Sequence, residues 1–568
     1  MDELLIEYIK ANIKDRNLTF VFPTDVAVKG WADWIVKNSD ITGVKAVEMK
    51  RFIAWDDFKG AHISSENKEL ESIPSLMRKV FASYIIEKNA QCVQEGKPPL
   101  FTSLIAPKYA KTASSFAEWI AKILPSLQLW RDYHESEGYK KLAREKQIDS
   151  NDAEDKDYEM LYTQYSAFLK EHNRFEPAWE KPPFRAEENQ RFCIVYPEIL
   201  QDWTQYKELL ESAEQIDLLR VSAHTKPIEY ESTHYETSIQ EIRDVALMLK
   251  EKADGGLKWT DMTVSVPNMD NYASQIERTF TQYNIPFTMR YSKTLTSYLA
   301  GNVFEQIQNC QSENFSFDSL RRLLLNDAIS WKEQKKINAL ISFGQKNNCV
   351  CSYGDVDSWE EAFRNPVHDK TISLEDAVKK YSYLRGFYES LRDTIRRLVL
   401  ASSFAEIKKA YNEFRFKFFD VDGFAELPTS DKIISRCVKE LYKLIELSDE
   451  FGINKEAGSI HIPNCYGFFV KHLSVTEYLE QLTENAVQIY PYRTSAAAPY
   501  KLHVVVDSTQ DALSVSTMFK QLSFLSDEKR KLILELNAVI DLDPTQDFIK
   551  LYAINSEEKA YFSSSHHS

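Results

Sequence analysis

Residues 18 to 22 read LTFVF, and the stretch that follows, PTDVAVKGWADWIVKN, carries its apolar side chains at helical spacing. An apolar run met at once by an amphipathic helix is the βα unit of a parallel sheet, because a strand buried on both faces shows no polar alternation. Pro23 and Thr24 open the helix. Lys45 to Met49 is the next expected strand, followed by FCIVY (192–196) and IDLLRV (216–221) around the helix QDWTQYKELLESAE. A second series starts at 228–231 and continues through the helix HYETSIQEIRDVALMLKEKA, the strand MTVSVP, the helix NYASQIERTFTQYN and the strand IPFTMR, with AVQIY and LHVVVD much later. Long helical stretches separate these pieces, at about 65–185 and 301–484. The expected fold class is α/β, with two parallel-sheet cores, each interrupted by a large helical insertion.

Glycine is scarce, at 15 of 568 residues, where ~7% is ordinary. Loops that wrap phosphate need several glycines together so that backbone amides can approach the oxygens. Neither GxxxxGK[ST] nor GxGxxG occurs, so a nucleotide held by a glycine loop is not expected. Lys and Arg number 70 against 85 Asp and Glu, a formal charge of −15. That is not the basic body of a free-standing nucleic-acid binder, although a local basic groove is compatible with it. Seven scattered cysteines, Cys351 among them, show no CxxC spacing and read as reduced thiols. The opening MDELLIEYIKANIKDRN is an amphipathic helix without signal-peptide zones. No apolar run reaches the ~20 residues of a bilayer span. A cytoplasmic protein without a membrane partner is the expectation.

Two α/β cores with helical insertions is also the architecture of superfamily 1 DNA motors, whose phosphate loop follows the first strand. Here that place holds Pro23, Thr24, Asp25, Val26, Ala27, Val28, Lys29 and Gly30. The Lys-Gly order is reversed, no hydroxyl follows to hold magnesium, and Asp25 would repel phosphate. Tyr196-Pro197-Glu198 reads as a strand end leading into a helix rather than a magnesium site. The ExK tripeptides Glu48-Met49-Lys50 and Glu95-Gly96-Lys97 read as surface charge, and His503 among valines reads as a packed core residue, with Asp507 closing its strand. His461, His472, His566 and His567 have no acidic neighbours at metal spacing. Candidates for DNA contact are Arg321, Arg322, Arg415, Lys417, Lys501, Lys529 and Arg530. Around Arg415 and Lys417, the residues Phe414, Phe416, Phe418 and Phe419 combine cations with rings that stack on bases. The same alternation also describes one buried and one wet face, and both readings stay open.

The segments FVFPTDVAVKGWADWIV, VEMKRFIAWDDF and HYETSIQEIRDVALMLKEKADGGLKWTDMTVSVPNMDNYASQIERTFTQYNIPFTMR resemble, in that order, the AddB/RexB-type subunits of bacterial helicase-exonucleases. The most specific part is a helix with Glu241, Arg243, Val245 and Ala246, a strand ending in Val266-Pro267, then Tyr272 and the turn Tyr283-Asn284-Ile285-Pro286-Phe287. YRTSAAAPYKLHVVVDSTQDALSV and FLSDEKRKLI fit the later strand and helix of that family.

The resemblance implies two RecA-like, superfamily 1 helicase-like domains, 1–225 and 226–300 plus 485–548, with residues 549–568 starting a truncated C-terminal nuclease-type domain. It implies an inactive scaffold in double-strand-break repair that holds single-stranded DNA or DNA ends and pairs with a motor (helicase-nuclease) subunit. Mg²⁺, and in some members an iron–sulfur cluster, would belong to a PD-(D/E)XK exonuclease domain beyond this chain. The sequence departs from the family in lacking both the phosphate loop some relatives keep and any nuclease triad before Ser568. No catalytic, cofactor or metal residue is therefore assigned. Two other readings suit two α/β cores: a nucleotide-sugar transferase with its substrate between the cores, or a purely structural interaction protein.

Overall fold

The computed structural model describes residues 1–63, 70–179, 183–225, 227–350, 356–367, 373–455, 460–479 and 485–566. The boundaries expected near 65, at 226 and at 484, together with Cys351 and His567, lie outside the described residues. The chain forms two compact units, one of residues 1–82, 88–291 and 480–568, the other of residues 83–87 and 292–479.

The first unit carries both main sheets. The strands β1 (Leu18–Phe22), β2 (Phe52–Ala54), β3 (Arg191–Val195) and β4 (Ile216–Leu219) form one sheet in the order β2-β1-β3-β4. All three pairings are parallel, with Phe20 opposite both Phe52 and Cys193. The strand expected at Lys45 to Met49 is displaced: Met49–Arg51 is a 3₁₀ turn and β2 begins at Phe52. Arg51 causes this, since its buried guanidinium donates to the carbonyls of Ile13 and Leu18, each at 2.9 Å, and those bonds hold the turn against the base of β1.

The second sheet contains β5 (Tyr230–Tyr235), β6 (Met262–Val266), β7 (Phe287–Met289), β8 (Val487–Pro491), β9 (Leu502–Val505) and β10 (Ala560–Ser565). Its order is β5-β10-β9-β6-β8-β7, again all parallel. The closing segment FIKLYAINSEEKAYFSSSHHS, which reads from sequence as two strands joined by an Asn-Ser turn, is a helix followed by a strand. Thr545–Ile554 is a helix that buries Phe548, Leu551 and Tyr552, and Ala560–Ser565 is an inner strand aligned with Tyr230–Tyr235. Helical spacing of the three large residues decides it, because only a helix puts them on one face.

One continuous core joins the sheets, with Phe20, Trp31 and Val195 from the first and Tyr492, Val505 and Phe562 from the second. The contact is close at Gly30, where an added Cβ would lie 2.9 Å from Pro499 Cδ. Trp31 Nε1 donates to the Ala497 carbonyl at 2.9 Å beside it.

The second unit is helical, stitched at its base by a short antiparallel pair, Lys293–Thr294 with Glu477–Tyr478. Its long helices Leu374–Val399, Phe404–Phe418 and Pro428–Phe451 bury one apolar stripe each. Gly301 allows the helix Leu299–Ser312 to press on the preceding turn, since a Cβ there would meet the Leu295 carbonyl oxygen at 1.9 Å. No helix among the described residues is long and apolar enough to cross a membrane.

Candidate functional site

In parallel sheets ligands bind outside the carboxyl ends of the strands, where neighbouring connections diverge. In the first sheet that place is the end of β1, flanked by β2 on one side and β3 on the other. Only Pro23 and Thr24 separate β1 from the helix Asp25–Lys37. Thr24 Oγ1 caps that helix by accepting from Ala27 N at 3.3 Å, and donates to the Thr494 carbonyl at 3.0 Å. Residues 492–499, from the second sheet's β8–β9 connection, therefore lie against the helix start, with Ala496, Ala497 and Ala498 fully buried. Lys29 sits on the exposed side of the helix.

The end of β3 is likewise occupied by structure. Tyr196 takes a left-handed φ of 56° and its hydroxyl donates to Asp2 Oδ2 at 2.6 Å. Burial works to raise Asp2, but hydrogen bonds from His224 and Tyr196 outweigh it and hold the carboxyl below its usual range. Glu198 accepts from Val221 N at 3.1 Å and from Ser222 Oγ at 3.0 Å, which ties it to the turn after β4.

A cleft of about 640 Å³ opens beyond Pro23 and Thr24. Its floor comes from Trp55 after β2 and residues 199–202 after β3; the other walls come from residues 119–126, Arg493 and residues 517–524. Its two carboxylates are engaged: Asp202 accepts from Trp55 Nε1 at 2.7 Å and pairs with Lys59, and Asp56 pairs with Lys59 at 2.8 Å. Arg493, Lys122 and Lys520 have no carboxylate partner among the described residues, and Arg493 is half-buried, which lowers its pKa. Net positive charge in a walled cleft favours an anion. No group of three or more His, Cys, Asp or Glu able to hold a metal occurs among the described residues.

A second polar centre lies at the carboxyl end of β9. Glu241, fully buried in the first turn of the helix Ser238–Asp254, accepts from Asp507 N at 2.8 Å, Ser563 Oγ at 2.7 Å and Tyr272 OH at 3.2 Å. Asp507 is buried beside it at φ 52°, with Oδ1 unpartnered. Burial, then the Glu241 charge, push Asp507 up to about 6. An acid whose folded pKa is raised destabilises the fold as it ionises, so stability falls as pH climbs from about 4 through 6. Asp507→Asn, compatible with the left-handed backbone, is expected to raise the melting temperature at pH 7 to 8, with the gain vanishing near pH 4. Melts across pH 4 to 8 check this, and an equal shift at both ends would contradict it.

The residues named from sequence as DNA contacts fall in separate places. In the second unit Arg321 and Arg322 end the helix Phe317–Leu324, exposed, with Arg322 3.9 Å from Glu313. Arg415 and Lys417 lie in the last turn of Phe404–Phe418, where Lys417 pairs with Glu413 at 2.8 Å and Arg415 Nε is buried without a partner. The phenylalanines follow the helix rather than a two-faced alternation: Phe414, Phe418 and Phe419 are buried and Phe416 is 77% exposed.

In the first unit Lys501 pairs with Asp261 at 3.2 Å. Lys529 and Arg530 are not surface cations. Lys529 is 3% exposed between Asp152 at 2.8 Å and Asp155 at 2.9 Å, and Arg530 forks onto Asp541 at 2.6 and 2.7 Å. Cations enclosed by carboxylates are unavailable to phosphate without first breaking those pairs. His503 is a core residue, as read, with Nε2 3.0 Å from the Ala498 carbonyl and its pKa lowered by burial to about 4. His472 pairs with Glu440 at 2.9 Å, an acid 32 positions upstream that local spacing does not reveal. Sequence reasoning missed Arg493, Lys122 and Lys520, since nothing local marks three cations from distant segments as one group.

Comparison with known proteins bears on the class first. Residues 5–220 match the family described as Treponema TP0900 N-terminal P-loop domain, and residues 296–479 match the TP0900 fourth helical domain. A P-loop domain fits a RecA-like fold for the first sheet and its helices. Among individual proteins, an uncharacterized protein of Treponema pallidum is 28% identical over 581 residues, covering 96% of this chain and 70% of that one. The B subunit of the ATP-dependent helicase/deoxyribonuclease of Staphylococcus haemolyticus is 18% identical over 384 residues, covering 61% of this chain and 31% of its own length. The corresponding helicase/deoxyribonuclease chain of Ruminiclostridium cellulolyticum is 29% identical over 121 residues, 21% of this chain and 10% of its own. The similarity to these two helicase/deoxyribonuclease chains is distant and partial, and the present chain spans a third or less of either.

Proposed function

We propose that this chain is an ATP-independent, helicase-like scaffold of the AddB/RexB type, with two RecA-like cores that hold single-stranded DNA for a motor subunit during double-strand-break repair. The observation that carries the reading is the two-residue turn after β1, which lacks glycine, is capped by Thr24 and is packed on its helix side by residues 494–499. A triphosphate needs backbone amides curled around it, and here the turn is two residues long and without glycine, its threonine hydroxyl engaged by Ala27 N and the Thr494 carbonyl, so no loop among the described residues wraps the mouth of the open cleft. The parallel topology of both sheets and the distant similarity to helicase/deoxyribonuclease subunits support the same reading. Nuclease chemistry, with its Mg²⁺ and the iron–sulfur cluster that some members of the family carry, belongs on this reading to a domain outside the chain.

The expected result is no ATP turnover with or without DNA, no nuclease activity with magnesium, and binding of oligo(dT) that weakens steeply as salt rises, because phosphate contacts release counterions. ATP hydrolysis abolished by Lys29→Ala would overturn it. Binding of a nucleotide-sugar with none to DNA would select a transferase, and salt-independent association with a protein alone would select an interaction scaffold.

A further inference from the structure

The 3₁₀ helix Pro107–Phe116 runs into the helix Ala117–Ile123 and buries a stripe of small and aliphatic residues, among them Ala110, Ala113, Ala117 and Ile120. Its outer side is unusual. Tyr109 is 59% exposed and Phe116 45%, and Trp119 stands edge-on to Phe116 with ring centres 6.3 Å apart. Interleaved with these rings are Lys108, Lys111 and Lys122, all exposed and none with a carboxylate partner among the described residues. Lys108 instead rests over the Tyr109 ring at 4.7 Å. The one acid of the segment, Glu118, is taken by Lys79 at 3.3 Å.

In a chain with 85 acids against 70 bases, a strip of lysines without acids, alternating with exposed rings, calls for a ligand that is both anionic and aromatic. Trp119 and Lys122 also line the cleft that Arg493 and Lys520 enter. The strip and the cleft therefore form one continuous surface within the first unit.

We infer that the outer face of residues 107–123 is a contact track for single-stranded nucleic acid, which leads into the cleft at the end of β1. Bases stack on Tyr109, Phe116 and Trp119, phosphates meet Lys108, Lys111 and Lys122, and Arg493 and Lys520 hold the phosphates of the segment inside the cleft. Stacking tolerates any base because each has a π-face, and it pairs with cations that follow the backbone. This assignment rests on the strand-holding reading above and names the surface that would do it.

Fluorescence anisotropy with oligo(dT) on the full chain tests it. The triple variant Lys108→Gln, Lys111→Gln, Lys122→Gln is expected to flatten the log–log salt slope by about 2, at ~0.7 per phosphate contact for single strands. Tyr109→Ala with Phe116→Ala is expected to weaken binding by roughly tenfold or more per ring. All five positions are exposed, so unchanged melting curves should accompany both losses. Photocrosslinking of a 5-iodouracil oligonucleotide to the unmodified chain is expected to mark the peptide containing residues 107–123. Salt-dependent binding by the wild type that both variants retain, or crosslinks confined to other peptides, would overturn the track and leave the scaffold reading standing. Absence of any DNA binding by the wild type would overturn both.

Discussion

Glu241→Ala is expected to destabilise the sheet-bearing unit by about 3–5 kcal/mol, the range for disabling a buried polar centre. The carboxylate gathers three donors from three elements: the backbone after β9, Ser563 on β10 and Tyr272 on the helix Met269–Gln282. Its own place in the first turn of a helix suits a negative charge, because the helix dipole is positive there. Alanine strands all three donors away from water, and each orphan costs roughly 1–3 kcal/mol. Part of that is offset, since Asp507 no longer faces a second carboxylate.

Glu241→Gln separates the two effects. The amide keeps an acceptor for at least one donor and removes the charge, so its cost should be smaller, and the Asp507 carboxyl should move back toward the ordinary range. Urea unfolding at pH 7 measures the first effect, and comparison at pH 5 and 7 the second. If Glu241→Ala unfolds within about 1 kcal/mol of the wild type, the network is not holding β9 and β10 together.

What could be read in advance follows from how far apart the interacting residues are in the chain. LTFVF, FCIVY, MTVSVP and LHVVVD announced four inner strands because strands buried on both faces are short apolar runs, and the observed β1, β3, β6 and β9 lie there. Tyr230–Tyr235 has five exposed residues of six and lies at the sheet edge, so little in its composition marks a full strand. FIKLYAI fits either period over seven residues; only burial of Phe548, Leu551 and Tyr552 on one face resolves it as a helix. The scarcity of glycine after β1 was legible, whereas the packing on the helix side of that turn was not, because Thr494 and Ala497 are about 470 positions from their partners. The cleft's free cations come from residues 122, 493 and 520 and have no shared local pattern. The strip at 107–123 was visible as letters, yet its exposure required knowing which side of a 3₁₀ helix faces the core.

Lys529→Ala is expected to cost about 3–5 kcal/mol at neutral pH, because removing one partner of a buried ion cluster leaves the others uncompensated. The ammonium is enclosed by Asp152 and Asp155 at the start of the helix Ala153–Glu171, with Glu154 at 3.5 Å, and Asp155 is itself fully buried. Burial alone would lower Lys529, but these carboxylates raise it above its usual value. Burial also raises Asp155, and the lysine's hydrogen bond and charge only partly counter this. Without Lys529 the penalty therefore falls as pH drops toward 4, where the carboxylates take protons and no longer bury bare charge. Asp155→Asn in the same chain should recover part of the loss at pH 7, since the amide carries no charge to strand. DNA binding distinguishes this role from phosphate contact: if Lys529 only joins the helix Asp527–Glu535 to the helix Ala153–Glu171, the folded variant keeps the wild-type salt slope. A slope reduced by about 0.7 with no change in stability would instead place the lysine on the strand.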